Sequence, residues 1–235
     1  MGYPRFIGSV EDNRFFITDE EFHHARVRRV KEGFKIEIND LQGNVYLGQI
    51  EKIGKKSIEG IILEKIPQQE PHLNIQLFLA MPNKLSKIDE LIEPITELGM
   101  AELIPVISKN TAVKQSDIIK KIPKWQKISL NSIKQCKRLF PIKIHQPVYP
   151  HQIQTDAQIK IVFYEKEKNR TMKEFLNKTA DSVAIYIGAE GGITEEEIKL
   201  LAEKGFISVS LGKLILRMET AVISAVCQTN FIFNL

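Results

Sequence analysis

The sequence predicts an α/β protein in two parts: a small β-rich unit, then a larger α/β domain built on a mostly parallel sheet. Three observations carry this. Short segments rich in Ile, Val, Phe and Tyr crowd the first third. From residue 73 onward, apolar runs of strand length alternate with segments of helical period. Between the two patterns lies the polar stretch Pro67-Gln68-Gln69-Glu70-Pro71, the clearest boundary in the chain. The expected domains are therefore 1–66 and 72–235.

In the first part, segments 3–8, 14–17, 34–39, 45–53 and 57–65 read as strands with partial alternation, and Gln42-Gly43-Asn44 as a hairpin turn between two of them. One helix interrupts them. Thr18 is its expected N-cap, with Glu21 completing a capping box and Gly33 ending it. It carries His23, His24, Arg26, Arg28 and Arg29. A small barrel with one basic helix is a common, weakly diagnostic RNA-binding build.

In the second part, Leu73–Met81 is almost continuously apolar, as in a strand buried on both faces. Ile88, Leu91, Ile92, Ile95 and Leu98 follow at helical spacing, with Gly99 as the stop and Pro94 as an expected kink. Further strands are expected at 101–107, 142–148, 159–164, 183–187 and 206–211. Helices are expected near 117–135, 171–178, 194–204 and 219–231. In the helix 117–135, Ile118, Ile122, Trp125 and Ile128 share one face, so Trp125 reads as core and the lysines as the opposite face.

The chain has 235 residues, 43% hydrophobic and 26% charged, which argues against global disorder. No apolar run reaches membrane-spanning length, and Met1 to Val10 does not read as a signal peptide. Cys136 and Cys227 stand far apart without CxxC spacing, so they read as reduced thiols, and no metal site is expected. These features predict a cytoplasmic protein. Charge is uneven. Between Lys109 and Lys143 lie ten Lys/Arg and one acidic residue, Asp117, so this stretch carries +9 while the whole chain carries +4. Such an island suits a polyanion partner, and equally a solvated lysine-rich helix face.

Two motifs carry the chemistry. In the first, the apolar strand Val183–Ile187 runs into Gly188-Ala189-Glu190-Gly191-Gly192-Ile193, and Thr194 with Glu197 forms a capping box for the next helix. Three glycines at the carboxyl end of a strand let backbone approach a ligand, and ligands of open α/β sheets bind at that edge. The motif lacks the spacing of a dinucleotide fingerprint and of a P-loop, and Glu195–Glu197 would repel phosphate. A neutral or cationic ligand fits better. In the second, a strand ends at Leu211, Gly212-Lys213-Leu214-Ile215-Leu216-Arg217 follows, and an apolar helix starts near Glu219. Taken alone, Arg217 could be a surface partner of Glu219.

Together these motifs resemble those of the 16S ribosomal RNA uridine-N3 methyltransferases of the SPOUT superfamily, whose loops read IGPEGG-[FLI]-[ST]-x-x-E and LG-x-x-[IV]-LR-x-ETA. The resemblance spans the chain. Arg5-Phe6 matches an arginine–aromatic start, and His23, Val27 and Arg29 match an H-x-x-x-V-x-R helix. Leu98-Gly99 matches the end of an ELG helix, Trp125–Ile128 a WQKI segment, and Gln135-Cys136 with Arg138 a Q-[SC]-G-R segment. Ala189 replaces a usual proline. Lys134 and Lys137 stand where glutamate and glycine are common, Lys109 and Asn110 where glutamate and arginine are, and Leu214 where arginine often is.

The resemblance implies a trefoil-knotted SPOUT α/β domain behind a small PUA-like β-barrel, a homodimer joined partly through the last helix, and methylation of uridine N3 in 16S ribosomal RNA within the small ribosomal subunit. It implies S-adenosylmethionine as cofactor, held by Gly188, Glu190, Gly191, Gly192, Ile193, Leu211, Gly212, Ile215, Leu216 and Thr220. Arg217 is the expected stabiliser of the uracil anion, and Glu190 a proton acceptor or cofactor contact. Arg5, His23, Arg26, Arg29, Lys114 and Arg138 are the expected RNA contacts, and RNA affinity should fall steeply with salt. Three rivals stand beside this reading: a SPOUT enzyme acting on another RNA, such as ribose 2′-hydroxyls, an RNA-binding protein without catalysis, and an NAD-type dehydrogenase, which the missing fingerprint disfavours. Mapping of the modified nucleoside separates the first, and a methyl-transfer assay the second.

Overall fold

A computed structural model describes residues 2–68 and 70–233. Gln69 of the expected boundary, with Met1, Asn234 and Leu235, lies outside the described residues. The chain divides into two compact units, Met1–Glu70 with Asn131–Phe140, and Pro71–Leu130 with Pro141–Leu235. The division is thus not a single cut at 67–71, because ten residues of the basic island group with the first unit.

The first unit holds β1 (Arg5–Ile7), β2 (Ser9–Glu11), β3 (Arg14–Thr18), α1 (Asp19–Val27), β4 (Lys35–Asn39), β5 (Val45–Ile53) and β6 (Ser57–Ile66). Its sheet runs β1-β4-β5-β6-β3-β2, with only the β1–β4 pair parallel. β1 and β2 are the outer strands, yet Gly8 alone joins them. Successive Cα atoms are about 3.8 Å apart, so the sheet must curl until its edges meet. Phe6, Phe15, Ile17, Ile36, Ile38, Ile50 and Ile58 fill the interior and are buried. Gly60 is required there: a Cβ on it would stand 2.6 Å from the Phe15 ring.

Local chemistry corrects three expectations. Thr18 is the N-cap of α1 by position, but its hydroxyl donates to Asp19 Oδ2 at 2.9 Å and caps no backbone N–H. The Glu21 carboxylate accepts from Ile7 N and Lys134 Nζ instead of returning to the cap. Nor does Gly33 end the helix, which stops at Val27 with Arg29 in the left-handed region (φ 55°); Gly33 (φ 85°) turns the chain into β4 and donates to Ile50 O. β2 was not expected at all. The 40–44 turn forms around Asp40 Oδ1, which accepts from Gln42 N and Asn44 N.

The second unit holds β7 (Asn74–Ala80), α2 (Ser86–Glu97), β8 (Glu102–Val106), α3 (Gln115–Cys136, which runs past Leu130), β9 (Lys143–Ile144), β10 (Ile159–Phe163), β11 (Ser182–Ile187), α4 (Glu195–Glu203), β12 (Ile207–Val209) and α5 (Met218–Phe233). Its sheet is entirely parallel in the order β12-β10-β11-β7-β8-β9. Alternate residues of β7 serve opposite faces. Ile75, Leu77 and Leu79 pack with Ile88 and Ile92 of α2, Trp125 of α3 and Val222 of α5, whereas Phe78 packs with Tyr186, Leu201 and Phe206. Trp125 is fully buried and donates from Nε1 to Asp89 Oδ1 at 2.8 Å. The segment 142–148 is a strand only over Lys143–Ile144, followed by a single bridge from Val148 to Val106. Residues 171–178 form only a 3-10 turn, Met172–Phe175, because two buried residues anchor too little for a longer helix.

Candidate active site

Strand order brings the two motifs together. β10 lies between β11 and β12, so the loops leaving the carboxyl ends of β11 and β12 flank one crevice. The crevice is a cleft of about 590 Å³, lined by Phe163, Tyr164, Glu165, Ile187–Gly192, Ser210–Met218, Ala221 and Lys87. Ligand pockets typically measure about 300–1,000 Å³.

The first loop is packed too tightly for side chains at its glycines. A Cβ on Gly188 would meet Ile193 Cγ1 at 2.7 Å, one on Gly191 would meet Asn110 Cβ at 2.8 Å, and one on Gly192 (φ 71°) would meet Glu165 Oε1 at 2.6 Å. Gly192 N donates to Ala189 O at 2.9 Å, closing the turn. Asn110 Nδ2 donates to Gly191 O at 2.8 Å and Gly192 O at 3.3 Å, pinning the loop from outside. The second loop is open. Leu214 and Ile215 are 79% and 87% exposed, and a Cβ on Gly212 (φ 144°) would touch no protein atom.

Glu190 and Glu219 share one cation: Lys87 Nζ lies 3.0 Å from Oε1 of each. Glu190 Oε2 also accepts from Asn83 N at 3.3 Å, while Glu219 Oε2 is buried without a hydrogen-bond partner among the described residues. Burial alone would raise both carboxyl pKa values. The Lys87 hydrogen bond and neighbouring backbone N–H groups outweigh it and hold both below the ordinary range, and the same two carboxylates hold Lys87 above its own. Glu190 is therefore ionised and engaged, which weakens it as a proton acceptor. Arg217 is exposed on the cleft, and among the described residues its side chain has no ion-pair or hydrogen-bond partner, so the expected alternative pairing with Glu219 is not made.

Of the residues expected to hold a cofactor, Gly188, Glu190, Gly191, Gly192, Leu211, Gly212, Ile215 and Leu216 line the cleft. Ile193 does not: it is 4% exposed, packed in the core cluster with Phe78 and Tyr186, where its Cγ1 stands 2.7 Å from the place of a Cβ on Gly188. Thr220 is exposed on α5 and is also outside the lining, since α5 turns Met218 and Ala221 toward the cleft instead.

The expected RNA contacts divide in the same way. His23, Arg26 and Arg29 are exposed on or just after α1, with the Arg26 guanidinium 5.9 Å from the Phe22 ring centroid, and Lys114 is exposed before α3. Arg5 is not available. It is 5% exposed, and its donors go to Glu37 Oε2, the Lys137 and Arg138 carbonyls and Gln68 Oε1. The Arg138 side chain is only 10% exposed and lies 3.8 Å from Glu70. Much of the basic island is likewise neutralised internally. Lys134 pairs with Glu21, Lys137 with Glu37, and Lys121 and Lys124 with Asp89. The +9 of the sequence overstates what a polyanion meets.

Sequence reasoning did not find Lys87, Asn110 or Glu165. Lys87 left one faint signal, a cation in the first turn of α2, where the helix dipole disfavours it. Asn110 and Glu165 reach the glycine loop only through the fold.

Comparison with known proteins follows the same outline. The sequence model of an RNA methyltransferase domain family matches residues 68–230, and that of an RNA methyltransferase PUA domain matches residues 17–63. The chain is similar to the ribosomal RNA small subunit methyltransferase E of Aquifex aeolicus (31% identical, over 91% of this chain and 93% of the relative) and of Mesomycoplasma hyopneumoniae (32%, over 94% and 96%). Among solved structures it resembles a Legionella pneumophila methyltransferase in complex with the cofactor SAM, at 26% identity and a TM-score of 0.87 over 98% of both chains.

Proposed function

From the premise that this chain belongs to the ribosomal RNA small subunit methyltransferase E family, we propose that it methylates N3 of one uridine in 16S ribosomal RNA, in the cleft between the Gly188–Gly192 and Leu211–Arg217 loops. Family membership makes it an RNA methyltransferase that uses S-adenosylmethionine. The observation that carries the site is the meeting of both loops in one cleft with Arg217 exposed and unpaired on its wall.

The residues present fit the cofactor. The cleft offers closely approachable glycine backbone, apolar walls from Phe163, Ile187 and Met218, and the carboxylates of Glu165 and Glu190, a set suited to a cationic, partly apolar ligand and ill suited to phosphates. Backbone at Gly188, Gly191, Gly192, Leu211, Ile215 and Leu216 would hold it. When bound, it supplies an electrophilic methyl group on a positively charged sulfur.

The protein's own task is to present an anionic uracil N3. That nitrogen carries a proton and lies on the pairing edge, so the base must be unpaired or extruded and its anion stabilised. Arg217, free of carboxylate partners, stabilises the negative charge that develops on the uracil oxygens. Glu190 serves the first loop and the cofactor, since Lys87 already holds its charge. His23, Arg26, Arg29 and Lys114 contact phosphates and fix position without reading sequence. A homodimer, trefoil threading of the second unit, cytoplasmic location and a substrate within the small ribosomal subunit complete the reading. The exposed Ile223 and Phe231 of α5 support the dimer, and no helix among the described residues is long and apolar enough to cross a membrane.

The test is nucleoside mass spectrometry of small-subunit ribosomal RNA from a strain lacking the protein, complemented by the wild type or by Arg217→Ala. The wild type restores N3-methyluridine. Arg217→Ala binds the cofactor but slows transfer by about 10²- to 10³-fold, as for loss of one oxyanion-stabilising donor. An unchanged rate removes Arg217 from the reaction, and an unchanged N3-methyluridine level in the deletion strain removes the substrate assignment.

A further inference from the structure

Lys87 occupies an unfavourable place for helix stability. It is the second residue of α2, where the exposed backbone N–H groups already present partial positive charge. Its ammonium reaches across to Glu190 on the loop after β11 and to Glu219 at the start of α5, at 3.0 Å from each. Lys87 thus links the first cleft loop by ion pairs to the segment that anchors the second. Without it, two carboxylates would face each other with no cation between them, and each already feels burial.

We propose that Lys87 is a positioning residue for methyl-donor binding: its ammonium, shared by Glu190 and Glu219, clamps the two cleft loops at the separation the donor requires. This rests on the cleft being the donor site. The groups involved come from every element around the trio. Lys87 is on α2, Glu190 on the first loop and Glu219 on α5, and the backbone N–H of Asn83 precedes α2 and donates to Glu190. Glu165, Lys213 and Arg217 are the other charged residues of the cleft, and among the described residues none of them pairs with the trio. Lys87 therefore compensates both carboxylates alone. It touches no reacting atom and acts through the loops.

The experiment is calorimetric titration of the full-length protein with S-adenosylmethionine across about pH 5.5 to about pH 8, beside hydrogen exchange of the two loops with and without the donor. In the wild type, donor binding protects 187–192 and 210–218 and affinity changes little with pH. In Lys87→Met, affinity falls at the alkaline end by an amount at the low end of the roughly 5- to 150-fold range of site coupling, because the trio is partly solvated. The loss shrinks as pH falls, because one of the two facing carboxylates takes up a proton and the repulsion ends. Adding Glu219→Gln to Lys87→Met removes that pH dependence and recovers affinity. Lys87→Gln, which keeps a polar group without the charge, behaves as Lys87→Met does and serves if the methionine variant folds poorly. Protected loops with wild-type affinity and pH profile in Lys87→Met overturn the clamp alone. A wild-type protein whose loops gain no protection from the donor overturns the cleft assignment and the clamp together.

Discussion

Replacing Lys134 by methionine separates a cation that holds the fold from one that meets RNA. The Lys134 side chain is 7% exposed, with Nζ at 2.8 Å from Glu21 Oε2 and 3.2 Å from His24 Nδ1; the Glu21 side chain is 16% exposed. Removing one partner of a buried pair typically costs about 3–5 kcal/mol, because the other charge is left desolvated. Glu21 keeps its hydrogen bond from Ile7 N and some solvent, which brings the expected loss to about 2–3 kcal/mol. Each lysine or arginine that neutralises a phosphate contributes about 0.7–0.9 to the slope of log affinity against log salt. Lys134 has no face to offer a phosphate, so Lys134→Met should lower the unfolding midpoint and leave that slope unchanged. Arg26→Met and Arg29→Met, both at exposed positions, should each reduce it by about 0.7–0.9 with little effect on stability. Filter binding of a ribosomal RNA fragment over a salt series, with chemical denaturation of each variant, reads both quantities. A slope reduced in Lys134→Met as much as in Arg26→Met would refute the argument that internal pairing withdraws the island's cations.

Three further outcomes follow from local geometry. Asn110→Ala frees the Gly191 and Gly192 carbonyls and should weaken cofactor binding several-fold, roughly the worth of one to two hydrogen bonds, with no change in RNA affinity; equilibrium titration with the cofactor checks it. Gly60→Ala drives a methyl group into the Phe15 ring and the Gln49 carbonyl and should destabilise the first unit by about 1–3 kcal/mol or more, measured by denaturation. Glu167 accepts from Ser208 Oγ and from the backbone of Asn169 and Arg170, which pull its pKa from 4.5 to about 2. A depressed pKa gives stability that is present above the unfolded value and lost as pH falls toward the folded one. The melting-temperature gap between wild type and Glu167→Gln should therefore be full at neutral pH and shrink between pH 4.5 and about 2.

The parts of this protein that could be read from its sequence are those whose physical requirement is local. β7 and β11 show as apolar runs because both faces of a parallel sheet are covered. The glycine turn after β11 shows because Gly188 and Gly191 stand where a Cβ would strike a neighbour and Gly192 holds a positive φ of 71°. The capping box of α4 forms as its spacing suggests, with Thr194 Oγ1 accepting from Glu197 N and Glu197 Oε2 accepting from Thr194 N. The same spacing at Thr18 and Glu21 fails, because Ile7 N and Lys134 compete for the glutamate from 14 and 113 residues away. Local signals lose when a distant partner offers a better bond, and nothing in a short window shows that partner.

Charge patterns suffer most from this blindness. Lys134 finds Glu21 across 113 residues and Lys137 finds Glu37 across 100, so a run that looks uncompensated along the chain is compensated in space. The two positions where the resemblance expects glutamate and glycine are these same two lysines. Here Lys134 supplies a buried cation to Glu21 and His24, and Lys137 binds Glu37 and the Tyr3 carbonyl, so both tie the segment 131–140 to the β-barrel of its own unit. Lys87 follows the same logic at the cleft, where its reason for standing at a helix start is visible only once Glu190 and Glu219 are beside it. A basic residue's function is thus decided by whether the fold brings a carboxylate to it. By that criterion two cations of this cleft, Lys213 and Arg217, meet no carboxylate among the described residues and stand free for a substrate, the role proposed for Arg217.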